Sequence, residues 1–153
     1  MAEGTGTAPA LRLTPVEIQQ LLENSISVVD GIRLVSVEAD ALIFAVAAHA
    51  LSQRQGGTVS GPALFAAMDV AAYATVNGYV GHVPTATLSS CSVEFLEAVR
   101  PAPLTVQVRL LRLGMRKAVM CAEVTGDGVL VAVATLQFAV PARAARTALA
   151  AVD

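Results

Sequence analysis

The sequence predicts an α+β domain in which an antiparallel sheet wraps around one long central helix, with a further helix near the N-terminus. Three observations carry this. Residues 61–77 suit a helix and are apolar around almost the whole circumference, so that helix is expected to be buried on all sides. Six other segments are rich in strand formers, several with the alternation of a half-buried strand. Two of the six precede the apolar helix and four follow it. A sheet with one face to bury needs a helix of that character to bury it against.

The elements follow in order. Residues 1–12 read as a loose tail. "TPVEIQQLLENS" is a helix: Thr14 is a good N-cap, Pro15 fits the first turn and Glu17 completes a capping box. Val16, Ile18, Leu21 and Leu22 give it one apolar side. "GIRLVSVEAD" and "ALIFAVAAHAL" are two strands, with "EAD" as the turn between them. The polar loop "SQRQGG" leads into the central helix. There Pro62 suits the first turn, Ser60 or Gly61 can cap it, and Gly78 can end it. After the turn "GHVP", the strand "TATLSSCSVEFLEAV" is expected to set Ser89, Cys91, Val93 and Phe95 on one face. "PAPLTVQVRLLRLG" sets Val106, Val108 and Leu110 on one side. "GDG" joins the last two strands, "KAVMCAEVTGDG" and "VLVAVATLQFAV", as a tight hairpin, and "PARAARTALAAVD" is a short closing helix. No repeat or linker divides the chain, so residues 1–153 read as a single domain.

Composition bounds the function. The chain is 55% hydrophobic and 14% charged, with a mean hydropathy of +0.64. No apolar run approaches the roughly 20 residues of a membrane helix, so the excess points to a subunit interface. The net charge of -2, without a basic stripe or aromatic platform, argues against nucleic acid. "MAEGTGTAPA" lacks the pattern of a secretory leader, which implies a cytoplasmic protein. Cys91 and Cys121 are expected to be buried free thiols in a reducing compartment. His49 and His82 lack ligand spacing, so no metal site is expected.

One residue stands out. Asp69 lies about two turns inside the apolar helix, too deep to be a cap, and a carboxylate there is costly. It either accepts a hydrogen bond from a backbone group or from the Tyr73 hydroxyl, or it serves as a base whose pKa desolvation raises toward neutrality. The helix start offers a second function. Its first N–H groups lack partners, and Gly61 lets a ligand approach, so a carbonyl oxygen gaining charge could be held there. Gly61 and Asp69 are eight residues apart, or about 12 Å along a helix. One reacting carbonyl needs both close by. Two antiparallel helices meeting across a twofold axis satisfy this, with Gly61 of one subunit facing Asp69 of the other.

Three stretches together resemble the PaaI-like (phenylacetate-degradation) hotdog-fold thioesterases, over residues 53–141. "RQGGTVSGPALFAAMD" is similar to the family segment that runs from an asparagine through His-Gly-Gly to an acidic residue on the central helix. "SVEFLEAVRP" and "GDGVLVAVATLQF" resemble a strand and the final hairpin of that family. The resemblance implies hydrolysis of acyl-coenzyme A thioesters by homodimers or homotetramers with shared sites. It places the catalytic carboxylate at Asp69 and the oxyanion-hole N–H at Gly61. Coenzyme A enters as part of the substrate, and no other cofactor is implied. Arg54, Ser60 and Pro62 stand where relatives carry asparagine, histidine and glycine. Leu88 stands at an often polar strand position, beside Ser89 and Ser90. Phe65, Met68 and Tyr73 are candidate lining for a small or medium aliphatic or aryl acyl group. Arg100, Arg116 and Lys117 are candidates for coenzyme A phosphates. The alternatives are a non-catalytic acyl-CoA-binding or structural hotdog protein, which the changes at Arg54 and Ser60 favour, and a hotdog dehydratase or hydratase, which wants a histidine that this helix lacks.

Overall fold

The capping box forms as the sequence predicts. The Thr14 N–H donates to Glu17 Oε2 at 2.7 Å, and the Glu17 N–H donates to Thr14 Oγ1 at 3.2 Å. These bonds open α1 (Pro15–Ser25) and hold the Glu17 carboxyl below its usual pKa. Ile18, Leu21 and Leu22 are buried, whereas Val16 points outward. The structure is a computed structural model describing residues 9–25 and 30–150.

Next come β1 (Ile32–Val37) and β2 (Leu42–Val46), an antiparallel hairpin. A short 3₁₀ turn over Ala48–Ala50 leads toward α2 (Gly61–Val80). Four strands follow: β3 (Thr87–Phe95), β4 (Leu104–Leu113), β5 (Lys117–Gly126) and β6 (Val129–Ala139). The chain continues into α3 (Ala142–Ala150). All six strands form one antiparallel sheet in the order β1-β2-β4-β5-β6-β3. At the β5–β6 turn, Asp127 (φ 49°) and Gly128 (φ 75°) adopt the left-handed conformation that a two-residue hairpin needs.

The core lies between this sheet and α2. Strand alternation sends Phe44, Val106, Val108, Met120, Val124, Leu136 and Phe138 to the same side, all buried. Met68, Ala71, Ala72 and Thr75 of α2 are fully buried. Among the described residues, no helix is long and apolar enough to cross a membrane.

Three expectations are corrected. First, Gly78 does not end the helix. α2 continues to Val80, and Gly81 (φ 87°) turns the chain. Gly78 instead permits close packing: Ile18 and Leu11 lie 3.1 and 3.2 Å from where its Cβ would stand. The Gly78 carbonyl accepts the N–H groups of Arg12 and Leu13 at 2.8 and 3.1 Å. Of the expected tail, residues 1–8 lie outside the described residues, while Leu11 and Arg12 are fastened to α2. Second, the β3–β6 register slips between Leu88 and Ser90. This bulge takes Ser89 out of the alternation, and Ser89 donates its hydroxyl to the Gln137 carbonyl at 3.0 Å. The side chains packed against the core are those of Leu88, Cys91 and Val93. Third, Cys91 and Cys121 are free but half-buried rather than buried.

The far end of α2 is fixed by Asn77, which is fully buried. Its Oδ1 accepts the Val83 N–H at 2.6 Å, and its Nδ2 donates to the Tyr73 carbonyl at 3.0 Å. Asn77→Ala leaves the Val83 N–H unpaired, while the Tyr73 carbonyl keeps its helical bond, and should cost about 1–3 kcal/mol. A lower urea midpoint measures this; an unchanged midpoint would show that the bonds hold nothing.

Candidate active site

α2 is not buried on all sides, which corrects another expectation. Beyond its first turn, the positions left partly exposed are Phe65, Ala66, Asp69 and Tyr73. Phe65, Asp69 and Tyr73 are four apart and form one line along the helix that Gly61 begins, with Pro62 and Ala66 beside it. Small apolar residues surround the helix, but the sheet curves around only part of it. Met68 faces the sheet and belongs to the core, not to this line.

Asp69 lies mid-line, flanked by Phe65 and Tyr73 one turn either side. Burial raises its pKa above the usual carboxylate range, and nothing among the described residues offsets this. Among the described residues neither a backbone donor nor the Tyr73 hydroxyl bonds its carboxylate, which was one of the two readings of Asp69. Cys91 shares this environment: burial, and secondarily the Asp69 charge, raise its thiol pKa. Sequence reasoning did not place Cys91 in the site. The signal was its alternation with Val93 and Phe95 on the strand face that meets the helix.

The helix start is stripped to a single free donor. Ser60 is the N-cap: its Oγ accepts the Ala63 N–H at 3.2 Å and lies 3.0 Å from Ser52 Oγ. The Ser60 carbonyl takes Ala63 and Leu64, at 3.1 and 3.2 Å. Pro62 has no N–H. Among the described residues, the Gly61 N–H meets no acceptor. It sits at the positive end of a 20-residue helix. The Phe95 ring covers this point, with Cζ 3.5 Å from where a Cβ on residue 61 would stand. A groove of about 300 Å³ opens here, lined by Arg54, Gly61, Leu64, Phe95, Leu96 and Glu97 among others. Asp69 does not line it.

The remaining candidates divide between two ends of the sheet. Arg54 is exposed at the groove. Its N–H bonds the Thr58 carbonyl at 2.8 Å, closing the turn that holds Gly56 and Gly57. Arg100 Nη1 lies 3.6 Å from where a Gly57 side chain would begin, at the same corner. Arg116 and Lys117 occupy the β4–β5 turn. Register sets Lys117 beside Ala139, and Ala139 beside Thr87 at the start of β3. Gly61 stands at the other end of β3, against Phe95. One chain therefore does not gather Arg100 with Arg116 and Lys117. Leu88, Ser89 and Ser90 also lie toward the Thr87 end. Leu88 is half-buried against the core, and Ser90 is exposed.

Comparison with known proteins agrees with this fold. The family model for the thioesterase superfamily matches residues 56–133. A structure described as a thioesterase from a Silicibacter species is 26% identical, with a TM-score of 0.77, covering 90% of this chain and 96% of that one. A phenylacetic acid degradation-related thioesterase from Ralstonia eutropha is 25% identical, with a TM-score of 0.67, covering 80% and 98%. A variant of the phenylacetic acid degradation protein PaaI from Thermus thermophilus shares the fold at 24% identity, with a TM-score of 0.60, covering 71% and 92%. No match was found among the curated proteins. The chain belongs to the thioesterase superfamily: it is a thioester hydrolase built on a hotdog fold.

Proposed function

We propose that the protein hydrolyses acyl-coenzyme A thioesters of small or medium aliphatic or aryl acids, at sites shared between the subunits of a homodimer or homotetramer. The observation that carries this is an unengaged Gly61 N–H and an unengaged Asp69 carboxylate on one partly exposed line of a single helix. Their spacing of about 12 Å is too long for one carbonyl, which needs both within roughly 3–4 Å. β3 is an edge strand beside that line. Pairing it antiparallel with β3 of a second copy extends the sheet and sets the two α2 helices side by side in opposite directions. Gly61 of one subunit then meets Asp69 of the other. Arg100 of one then comes to the end held by Arg116 and Lys117 of the other, a cationic set suited to phosphates.

In this reading, the thioester carbonyl oxygen accepts the Gly61 N–H. Asp69 takes a proton from water, and the hydroxide attacks the carbonyl carbon. The helix N-terminus stabilises the tetrahedral oxyanion. Collapse breaks the C–S bond, and the departing thiolate takes the proton back from Asp69, leaving a carboxylic acid and free coenzyme A. Direct attack by Asp69, through an anhydride that water then opens, is the other route. Neither consumes a cofactor. The free thiols Cys91 and Cys121 suit a reducing cytoplasm.

The test is free thiol release from a panel of acyl-CoA thioesters across pH. Asp69 must be ionised to act, so activity should rise with pH through a raised carboxyl pKa. Release from no member of the panel, or an acid limb at an ordinary carboxylate pKa, would contradict the proposal.

A further inference from the structure

Two contacts tie α2 to the edge strand β3. The Phe95 ring lies 3.5 Å from where a Cβ on Gly61 would stand, which sets these two residues at one level. Gly61 opens the helix and Phe95 closes the strand, so the two elements run in opposite directions. The eight residues from Gly61 to Asp69 rise about 12 Å, and four residues of strand rise about 13 Å. Asp69 therefore falls level with Cys91. After burial, the Asp69 charge is what raises the Cys91 thiol pKa, so the two stand close. Phe65 and Val93 lie midway. The backbone of β3 adds a second constraint. The Leu96 N–H donates to the Val131 carbonyl at 2.8 Å, toward β6. In antiparallel strands, the backbone groups of alternate residues point to opposite edges. Ser92 and Glu94 share the direction of Leu96, in register with Thr135 and Val133 of β6. The N–H and C=O groups of Cys91, Val93 and Phe95 therefore point to the open edge, where no strand of the described residues lies.

We infer that this edge takes a second copy of the chain with the twofold axis at Val93, so that Cys91 and Asp69 of one subunit share a site with Phe95 and Gly61 of the other. The inference rests on the shared-site reading above and fixes its register. Setting Gly61 against Asp69 of the partner subunit puts the axis beside Phe65, and the strand residue at that level is Val93. The strand accepts that axis. Val93 meets Val93 of the partner subunit, and Cys91 meets Phe95 of the partner subunit, each a pair that exchanges both backbone hydrogen bonds. An axis between two neighbouring residues would set outward groups against inward ones and form no ladder. The pairing also covers the Phe95 ring, which is 53% exposed in the single chain.

The experiment places single cysteines along β3 in a Cys91→Ser, Cys121→Ser background, oxidises them with copper phenanthroline and separates the chains without reductant. Two Val93→Cys chains bring their Cα atoms about 5.5 Å apart, inside the span of about 4.4–6.8 Å that a disulfide bridges. Most of the protein should become a covalent dimer. Ser92→Cys and Glu94→Cys each stand about 8 Å from their own copies and should not link. Phe95→Cys with the native Cys91 retained should link, because the two positions oppose each other. Native Cys91 alone, about 14 Å from its copy, should not. Linking through position 92, 94 or Cys91 alone, linking nowhere, or a monomer in sedimentation would overturn the inference. Hydrolysis is read separately, as loss of thioester absorbance from acyl-CoA substrates. The expected links in a protein that hydrolyses none of them would keep the register and remove the acyl-CoA reading.

Discussion

Asp69→Asn should reduce thioester hydrolysis by roughly a hundredfold or more, the usual scale for losing a general base. Asparagine has nearly the same volume, so the packing on α2 is kept. It cannot take a proton from water, nor attack a carbonyl effectively. Stability should move the other way. Burial holds the Asp69 pKa above its ordinary value in the folded chain, so the folded state favours the protonated form. That contribution is full below the unfolded carboxyl pKa and is lost as pH rises through the folded one. At neutral pH the ionised carboxylate therefore costs stability, and the asparagine variant should melt at the same temperature as wild type or higher. Wild-type-like turnover in a folded variant would exclude Asp69 from catalysis. A clear fall in melting temperature would show that the carboxylate holds structure.

Gly61→Ala should leave the fold intact and stop the reaction from the other side. Gly61 has no positive φ, and the new methyl would meet the Phe95 ring at an ordinary 3.5 Å. Alanine is also the better helix former. The N–H survives, but in the proposed site the added methyl stands beside it and crowds the approach of the carbonyl oxygen. Displacing a reacting carbonyl by about 1 Å costs on the order of a hundredfold in rate. Circular dichroism and melting should match wild type while thiol release falls. Full activity would show that the carbonyl binds elsewhere.

Much of the fold was legible because its signals are local. The Thr14–Glu17 capping box and the "GDG" hairpin are set by a few neighbouring residues, and both form as read. Asp69 stood out for a related reason: a carboxylate amid alanines is an expense that packing alone does not explain. What escaped depends on partners far along the chain. A glycine in the last turns of a helix reads as a terminator, and only the arrival of Leu11 and Ile18 shows that Gly78 serves close packing. The exposed line on α2 cannot be read from a helix apolar on every side, because the sheet decides which side it leaves open. Ser89 looked like a neighbour of Cys91 until the bulge displaced it. Arg100, Arg116 and Lys117 were all candidates for coenzyme A phosphates, but the strand register carries the β4–β5 turn to the far end of β3 from Gly61. In the proposed dimer, that division and the division of Gly61 from Asp69 have the same remedy in a second subunit.

Mixing the two inactive chains tests that remedy directly. Asp69→Asn keeps an intact Gly61, and Gly61→Ala keeps an intact Asp69. If each site takes one residue from each subunit, a mixed dimer has one site with both defects and one with none. Random exchange of equal amounts makes half the dimers mixed, so about a quarter of wild-type activity should return. Activity that stays at the sum of the two separate variants, with subunit exchange confirmed by tags, would mean that Gly61 and Asp69 act within one chain or not together at all.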